Sequence, residues 1–186
     1  MKLVVGLGNP GEAYNNTRHN VGFWGVDALK TKITKNQDTS TKQISNFKFQ
    51  RKFKAEMVQV GGVMLVKPQT FMNLSGQSVR AVADYYRIEV NDIWVIHDDL
   101  DIKLGEYKIQ LGKGPKVHNG VASVEQSLGT NKFWRVRVGI ENRIKNQESR
   151  IMNGEQYVLL LFGNEEKIVI EKTVKKVAEE IYDRII

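Results

Sequence analysis

Three histidines, a knot of acids and several amides are the side chains of this sequence equipped for chemistry. His97-Asp98-Asp99-Leu100-Asp101 crowds three carboxylates together, which is unfavourable unless cations, histidine protons or backbone donors offset the charge. Such a cluster has two functional readings. One is a Mg²⁺ site for phosphoryl chemistry; the other is a carboxylate that orients a histidine acting as general base. A solvated turn with a helix-capping Asp is the structural alternative, and spacing alone does not choose among the three. His19 lies within Thr17-Arg18-His19-Asn20, at the expected start of a helix, where backbone N–H groups point outward and favour anions. Met72-Asn73 and His118-Asn119 each precede an expected helix. Asn there serves most often as a cap, yet an amide beside a polarised bond also holds a water or an oxyanion.

Other schemes find little support. The chain has no cysteine, which removes disulfides, thiolate zinc sites and a Cys nucleophile, and fits a reducing compartment. There is no G-x-S-x-G elbow and no Walker A sequence. If the protein is a hydrolase, water is the expected attacker. Gly6-Leu7-Gly8-Asn9-Pro10-Gly11 matches the dinucleotide fingerprint by letter, but its context fails. The next helix starts several residues late, and no second strand ends in an acid about 20 residues on. A glycine-lined turn that lets something approach the backbone closely is the simpler reading.

The elements that must position these groups follow from hydrophobic period. Leu3-Val4-Val5 and Ile93-Trp94-Val95-Ile96 are fully apolar runs and read as buried strands, the second ending at His97-Asp98-Asp99. Val21, Trp24, Ala28 and Leu29 share one face of a helix near 20–33. Residues 35–46 are polar and unpatterned, a surface loop. Phe47, Phe49 and Phe53 alternate with Lys48, Lys52 and Lys54, as in a half-buried strand with a basic outer face, and Gly61-Gly62 turns a hairpin into Val63–Val66. A helix follows Ser75 with Val79, Val82, Ala83 and Tyr86 as its stripe. Strands at Tyr107–Leu111 and Trp134–Ile140 flank a helix near 120–128. A last helix is expected with Asn164 as its cap and Ile170, Val174, Val177 and Ile181 inward. Apolar strands alternating with amphipathic helices predict an α/β fold: one three-layer domain over residues 1–186, its central mixed β-sheet flanked by helices on both faces. Ligands of such sheets bind beyond the carboxyl ends of the strands, here at Gly8-Asn9-Pro10 and His97-Asp98.

The 186 residues suffice to bury about 70% of the unfolded surface without metal or disulfide. With 41% hydrophobic and 26% charged residues the chain is globular in composition. The excess of 28 Lys and Arg over 21 Asp and Glu gives +7, a charge most often used to attract phosphate. The start is too short for a signal core, and the longest apolar run, Tyr157 to Phe162, is far below the ~20 residues of a membrane helix. A cytoplasmic protein with no membrane contact is expected.

These segments, in this order, resemble bacterial-type peptidyl-tRNA hydrolase. The matching stretches are Val5–Gly11 with Tyr14, then Thr17–Phe23, Lys67–Gly76, His97–Asp101 and His118-Asn119-Gly120. The resemblance implies cleavage of the ester between a peptide's terminal carboxyl and the tRNA 3′ ribose, with neither metal nor cofactor. It implies that His19 is the general base, that Asp98 holds its imidazole, and that Asn9 helps tell blocked from free aminoacyl groups. Tyr14, Phe71, Met72, Asn73 and Asn119 match positions at the tRNA end or the peptide beside it. tRNA is the expected partner, with no obligate protein partner and a monomeric state. Lys103, Lys108, Lys113, Lys116, Arg135 and Arg137 are candidates to track acceptor-stem phosphates. The departures are Gly112-Lys113-Gly114-Pro115-Lys116-Val117 before His118, Gln110 where a basic residue often sits, and Glu141-Asn142-Arg143 in place of the usual Gly-Arg-Pro. The rival reading is a catalytically silent RNA-binding module of the same fold.

Overall fold

The computed structural model describes residues 1–36, 46–143 and 152–186. In chain order its regular elements are β1 (Lys2–Gly6), α1 (Val21–Asn36), β2 (Lys48–Gln50), β3 (Ala55–Val60), β4 (Val63–Pro68), α2 (Ser75–Tyr86), β5 (Ile93–Lys103), β6 (Tyr107–Leu111), α3 (Asn119–Leu128), β7 (Trp134–Glu141), α4 (Gly154–Val158) and α5 (Asn164–Ile185). The strands form one sheet in the order β2-β3-β4-β1-β5-β7-β6. Its four central strands β4, β1, β5 and β7 run parallel. Antiparallel partners β2–β3 and β6 finish the two edges. The sheet is mixed, as expected, and at both edges rather than at the hairpin alone.

Alternation along the strands divides the core in two. Val4, Leu65, Trp94 and Ile96 face α1 and α5, whose stripes carry Val26, Leu29, Ile170, Val174, Val177 and Ile181. Leu3, Val5, Val66 and Val95 face the opposite layer, with Val79, Val82, Val121 and Val124 from α2 and α3. Period-2 alternation in a parallel strand with both faces covered looks like an unbroken apolar run in sequence, which is how β1 and β5 read.

Several elements differ from expectation in instructive ways. The half-buried strand expected through Phe53 stops at Gln50; Arg51–Phe53 is a 3-10 turn closed by Lys54 at φ 48. Phe53 thereby enters the α2 side of the core while Phe49 stays 58% exposed, so the aromatic alternation here does not follow a strand pleat. Tyr86 is likewise exposed rather than part of the α2 stripe. β5 does not end at Ile96. It continues through His97 and Asp98 against Arg137 and Val138 of β7, with a register shift before Lys103. Gly163, not Asn164, caps α5; its N–H donates to Glu166 Oε2 at 2.9 Å. The surface loop expected at 35–46 falls mostly outside the described residues, and α1 itself runs to Asn36. None of the helices described is long and apolar enough to cross a membrane.

Candidate active site

The site forms where β1 and β5 end side by side, with Gly6 opposite Ile96 in the parallel register. Helix α1 docks there unusually closely. A Cβ on Gly6 would sit 2.2 Å from the Gly22 carbonyl oxygen, and one on Gly22 would sit 2.4 Å from the carbonyls of Leu7 and Ile96. What approaches the glycine-lined turn is therefore the chain's own helix. That contact sets the 3-10 turn Arg18–Asn20, which immediately precedes α1, over the strand ends.

His19 and Asp98 meet although they lie 79 positions apart in the chain. The His19 Nδ1 lies 2.9 and 3.0 Å from the two Asp98 carboxylate oxygens. An ionised carboxylate only accepts, so Nδ1 carries the proton and donates it, leaving the Nε2 lone pair free. A second imidazole completes the arrangement. The His118 Nδ1 accepts from the Gly120 and Val121 N–H groups at 3.1 and 3.2 Å, capping α3. Its Nε2 must then hold the proton, which it donates to Asp98 at 2.9 Å. The helix cap thus fixes the tautomer of the second donor.

Burial alone would raise the Asp98 pKa, but the charge and hydrogen bonds of His19 and His118 prevail and hold it well below the usual carboxylate range. Burial pulls His19 down; the Asp98 charge and hydrogen bond outweigh it, and the net shift is upward. His97 is wholly buried and its pKa falls to about 3, from burial first and then the neighbouring His118 charge. It stays neutral and donates from Nδ1 to the Asp98 carbonyl at 2.7 Å.

The other two acids of the cluster are occupied. Asp99 accepts from Arg137 Nε at 2.7 Å and from the Asp101 N–H at 2.8 Å. Asp101 accepts from the Lys116 N–H at 3.0 Å. Donor atoms of His19, Asp98 and His118 lie within 4.8 Å of one another, the group most like a metal-ligand set among the described residues. All three already share hydrogen bonds, so a cation between them would have to break the pairing that holds both rings.

Asn9, just past β1, is fixed by three contacts. Its N–H donates to Asn20 Oδ1 at 2.8 Å, its carbonyl accepts from Asn20 Nδ2 at 2.9 Å, and its side-chain oxygen accepts from the Met72 N–H at 2.9 Å. The last bond orients the amide, leaving the Nδ2 protons as the groups available to a ligand.

A cleft of about 590 Å³ opens over these groups. Of the residues expected at the site, His19, Asp98, Asn9, Phe71, Met72, Asn73 and Asn119 line it; Tyr14 does not, lying in the separate 3-10 turn Glu12–Tyr14. Asn119 is exposed and is the first residue of α3, whose cap is His118 rather than an Asn. His118, Leu100, Val117 and α4 also line the cleft and were not anticipated as site residues. The sequence held two usable signals for them. His118 stands two and three residues before amides that need a cap, and Asn153 before Gly154-Glu155-Gln156 is a helix start, with its Oδ1 accepting from the Gln156 N–H at 2.9 Å. Among the described residues, no Lys or Arg lines the cleft.

Two of the suggested phosphate contacts fail on geometry. Arg135 is buried and bonded to Glu125 and the Gly114 carbonyl. Arg137 is held between Asp99 and Gln110, whose Oε1 accepts from it at 2.8 Å. Lys103, Lys108, Lys113 and Lys116 remain exposed.

Fold and cleft together define a three-layer α/β protein whose paired imidazoles and carboxylate suit hydrolytic chemistry. A family model described as Peptidyl-tRNA hydrolase matches residues 3–185, and the chain belongs to that family. It is 42% identical over 181 residues to the peptidyl-tRNA hydrolase of Bacillus cereus strain Q1, covering 96% of this chain and 90% of that one. A relative of the same name from Neisseria meningitidis serogroup C is 43% identical over 146 residues, 76% of this chain and 71% of its own. Among solved structures, peptidyl-tRNA hydrolase from Acinetobacter baumannii superposes with a TM-score of 0.75 at 29% identity, over 100% of this chain and 92% of that one. A variant of the same enzyme gives 0.79 at 30% identity, over 100% and 90%.

Proposed function

We propose that this chain hydrolyses the ester joining a peptide's terminal carboxyl to the tRNA 3′ ribose, with His19 as general base. The His19 Nε2 takes a proton from water while the water oxygen bonds to the ester carbon. Asp98 stabilises the imidazolium that forms, and the Asn9 amide donates to the developing oxyanion. Collapse breaks the bond to the ribose oxygen, which recovers the proton from Nε2, so no group is consumed and no covalent enzyme intermediate arises. A positioned base contributes about 10²–10⁴-fold and one oxyanion donor about 10²–10³-fold.

The observation that carries this reading is the contact of His19 Nδ1 with both Asp98 oxygens, which assigns the proton to Nδ1 and leaves Nε2 free at the cleft. Phe71, Met72, Asn73 and Asn119 are positioned to hold the substrate around the scissile bond. Because no Lys or Arg among the described residues lines the cleft, the tRNA phosphates are assigned to exposed lysines outside it, Lys113 and Lys116 first. We place the enzyme in the cytoplasm, acting as a monomer without metal.

Single-turnover hydrolysis of N-acetyl-aminoacyl-tRNA and free aminoacyl-tRNA, in EDTA, tests this. The native chain should release only the blocked amino acid, and His19→Ala should bind tRNA without turnover. Retained binding with no hydrolysis by the native chain would favour a silent RNA-binding module. Activity abolished by EDTA would require a metal.

A further inference from the structure

Arg18, next to the proposed base, is a buried cation whose bonds all run away from the cleft. Its side chain is 4% exposed. Nη2 donates to Glu166 Oε2 at 2.5 Å and Nη1 to the Leu161 carbonyl at 2.6 Å. The guanidinium lies over the Tyr157 ring at 4.3 Å and the Phe162 ring at 5.0 Å. Backbone pairing reinforces the grip, since the Arg18 N–H donates to the Leu160 carbonyl at 3.1 Å and Thr17 bridges Leu161. Glu166 is the hub on the other side. Besides Arg18 it accepts from the Gly163 N–H at 2.9 Å and, on its second oxygen, from Asn142 Nδ2 at 3.0 Å.

Asn142 belongs to Glu141-Asn142-Arg143, the segment that departs from the pattern of the resemblance. Its neighbours pair with each other, Arg143 to Glu141. Arg143 also donates to the Met152 carbonyl at 3.2 Å, and Tyr157 donates its hydroxyl proton to the Ile140 carbonyl at 3.2 Å. Four pieces of chain, the His19 turn, the α4–α5 connection, the start of α5 and the exit of β7, therefore meet on one charge pair.

We propose that Arg18, Glu166 and Asn142 form a strut that positions His19 against Asp98, with Asn142 as the arm that reaches in from the β7 exit. The inference rests on His19 as the base only for its kinetic consequence, not for the positioning itself. A guanidinium fork bonded to a carboxylate and a carbonyl at once fixes direction as well as distance. Removing it frees the turn on the side opposite the cleft, and a displacement of the order of 1 Å at a catalytic group costs up to about 10²-fold.

Arg18→Lys keeps the charge and loses the fork; Asn142→Ala removes one arm with no change of charge. The His19 imidazole is titrated by NMR in the full-length native chain and both variants, alongside kcat and KM on N-acetyl-aminoacyl-tRNA. In Arg18→Lys the His19 titration should move down toward 6.5, as the Asp98 contact loosens, with kcat reduced about tenfold and KM within threefold. Asn142→Ala should move the same quantities in the same direction by less, and it answers the question if Arg18→Lys does not fold. A lowered melting temperature with both titration and kcat at native values would overturn the strut. If His19 proves not to be the base, kcat loses its meaning here but the titration still decides.

Discussion

At the residue scale, one carboxylate organises the candidate site. Asp98 accepts from two imidazoles whose tautomers are set from outside, that of His118 by the α3 cap and that of His19 by Asp98 itself. Asp98→Asn tests this directly. The new amide presents N–H groups to one or both rings and allows the wrong His19 tautomer, so kcat should fall by about 10²–10⁴-fold while tRNA still binds. His118→Ala leaves two α3 amides uncapped and removes one donor to Asp98. It should destabilise the fold by about 1–2 kcal/mol, as a lost cap does, and reduce kcat, both readable by urea denaturation and single-turnover assay. Residue types put His19 and the 97–101 acids among the candidates, and the family resemblance singled out His19, Asp98 and Asn9. Residue types alone could not reveal which acid of the three is free to orient a base, because that depends on Arg137 and Lys116 arriving from elsewhere to occupy Asp99 and Asp101.

At the scale of elements, the site depends on how tightly α1 seats on the ends of β1 and β5. Gly6→Ala or Gly22→Ala puts a methyl group within 2.4 Å of backbone carbonyls, with no side chain able to yield. Each should destabilise by at least about 1–3 kcal/mol and, if folded, lower kcat more than it raises KM. The apolar periods of β1, β5, α2, α3 and α5 were readable because each buries a continuous stripe. The short elements were not. β2 has three residues and α4 five, too few to show a period, and α4 is the one that walls the cleft. The β5 extension through Asp98 also escaped, since polar residues in a buried strand look like a loop until their partners are known.

For the whole molecule, the +7 charge has to be divided between binding and folding. Arg137 belongs to folding. Asp99, its partner, has a wholly buried side chain, so Arg137→Ala strands a carboxylate and should destabilise by about 3–5 kcal/mol. Lys113 and Lys116 are exposed, and Lys116 directly precedes Val117 of the cleft lining. Replacing either with Ala should leave stability within about 0.5 kcal/mol, weaken tRNA binding, and reduce the slope of log K against log salt by about 1. Charge arithmetic suggested attraction to phosphate but could not separate these two uses, because the separation is a matter of burial.

The His19–Asp98 base is tested most directly by the pH dependence of single-turnover hydrolysis, from pH 5 to 9, in the native chain and in Asp98→Asn. As the proposed base, His19 works deprotonated, and Asp98 raises its pKa by favouring the charged form. The native rate should therefore climb with pH through a midpoint above 6.5, on a single ionisation, and level off above it. Asp98→Asn should lose most of the rate, and its residual rate should climb through a lower midpoint or show none. A native rate independent of pH across this range, or a midpoint that Asp98→Asn leaves in place, would contradict the assignment of His19 as the base held by Asp98.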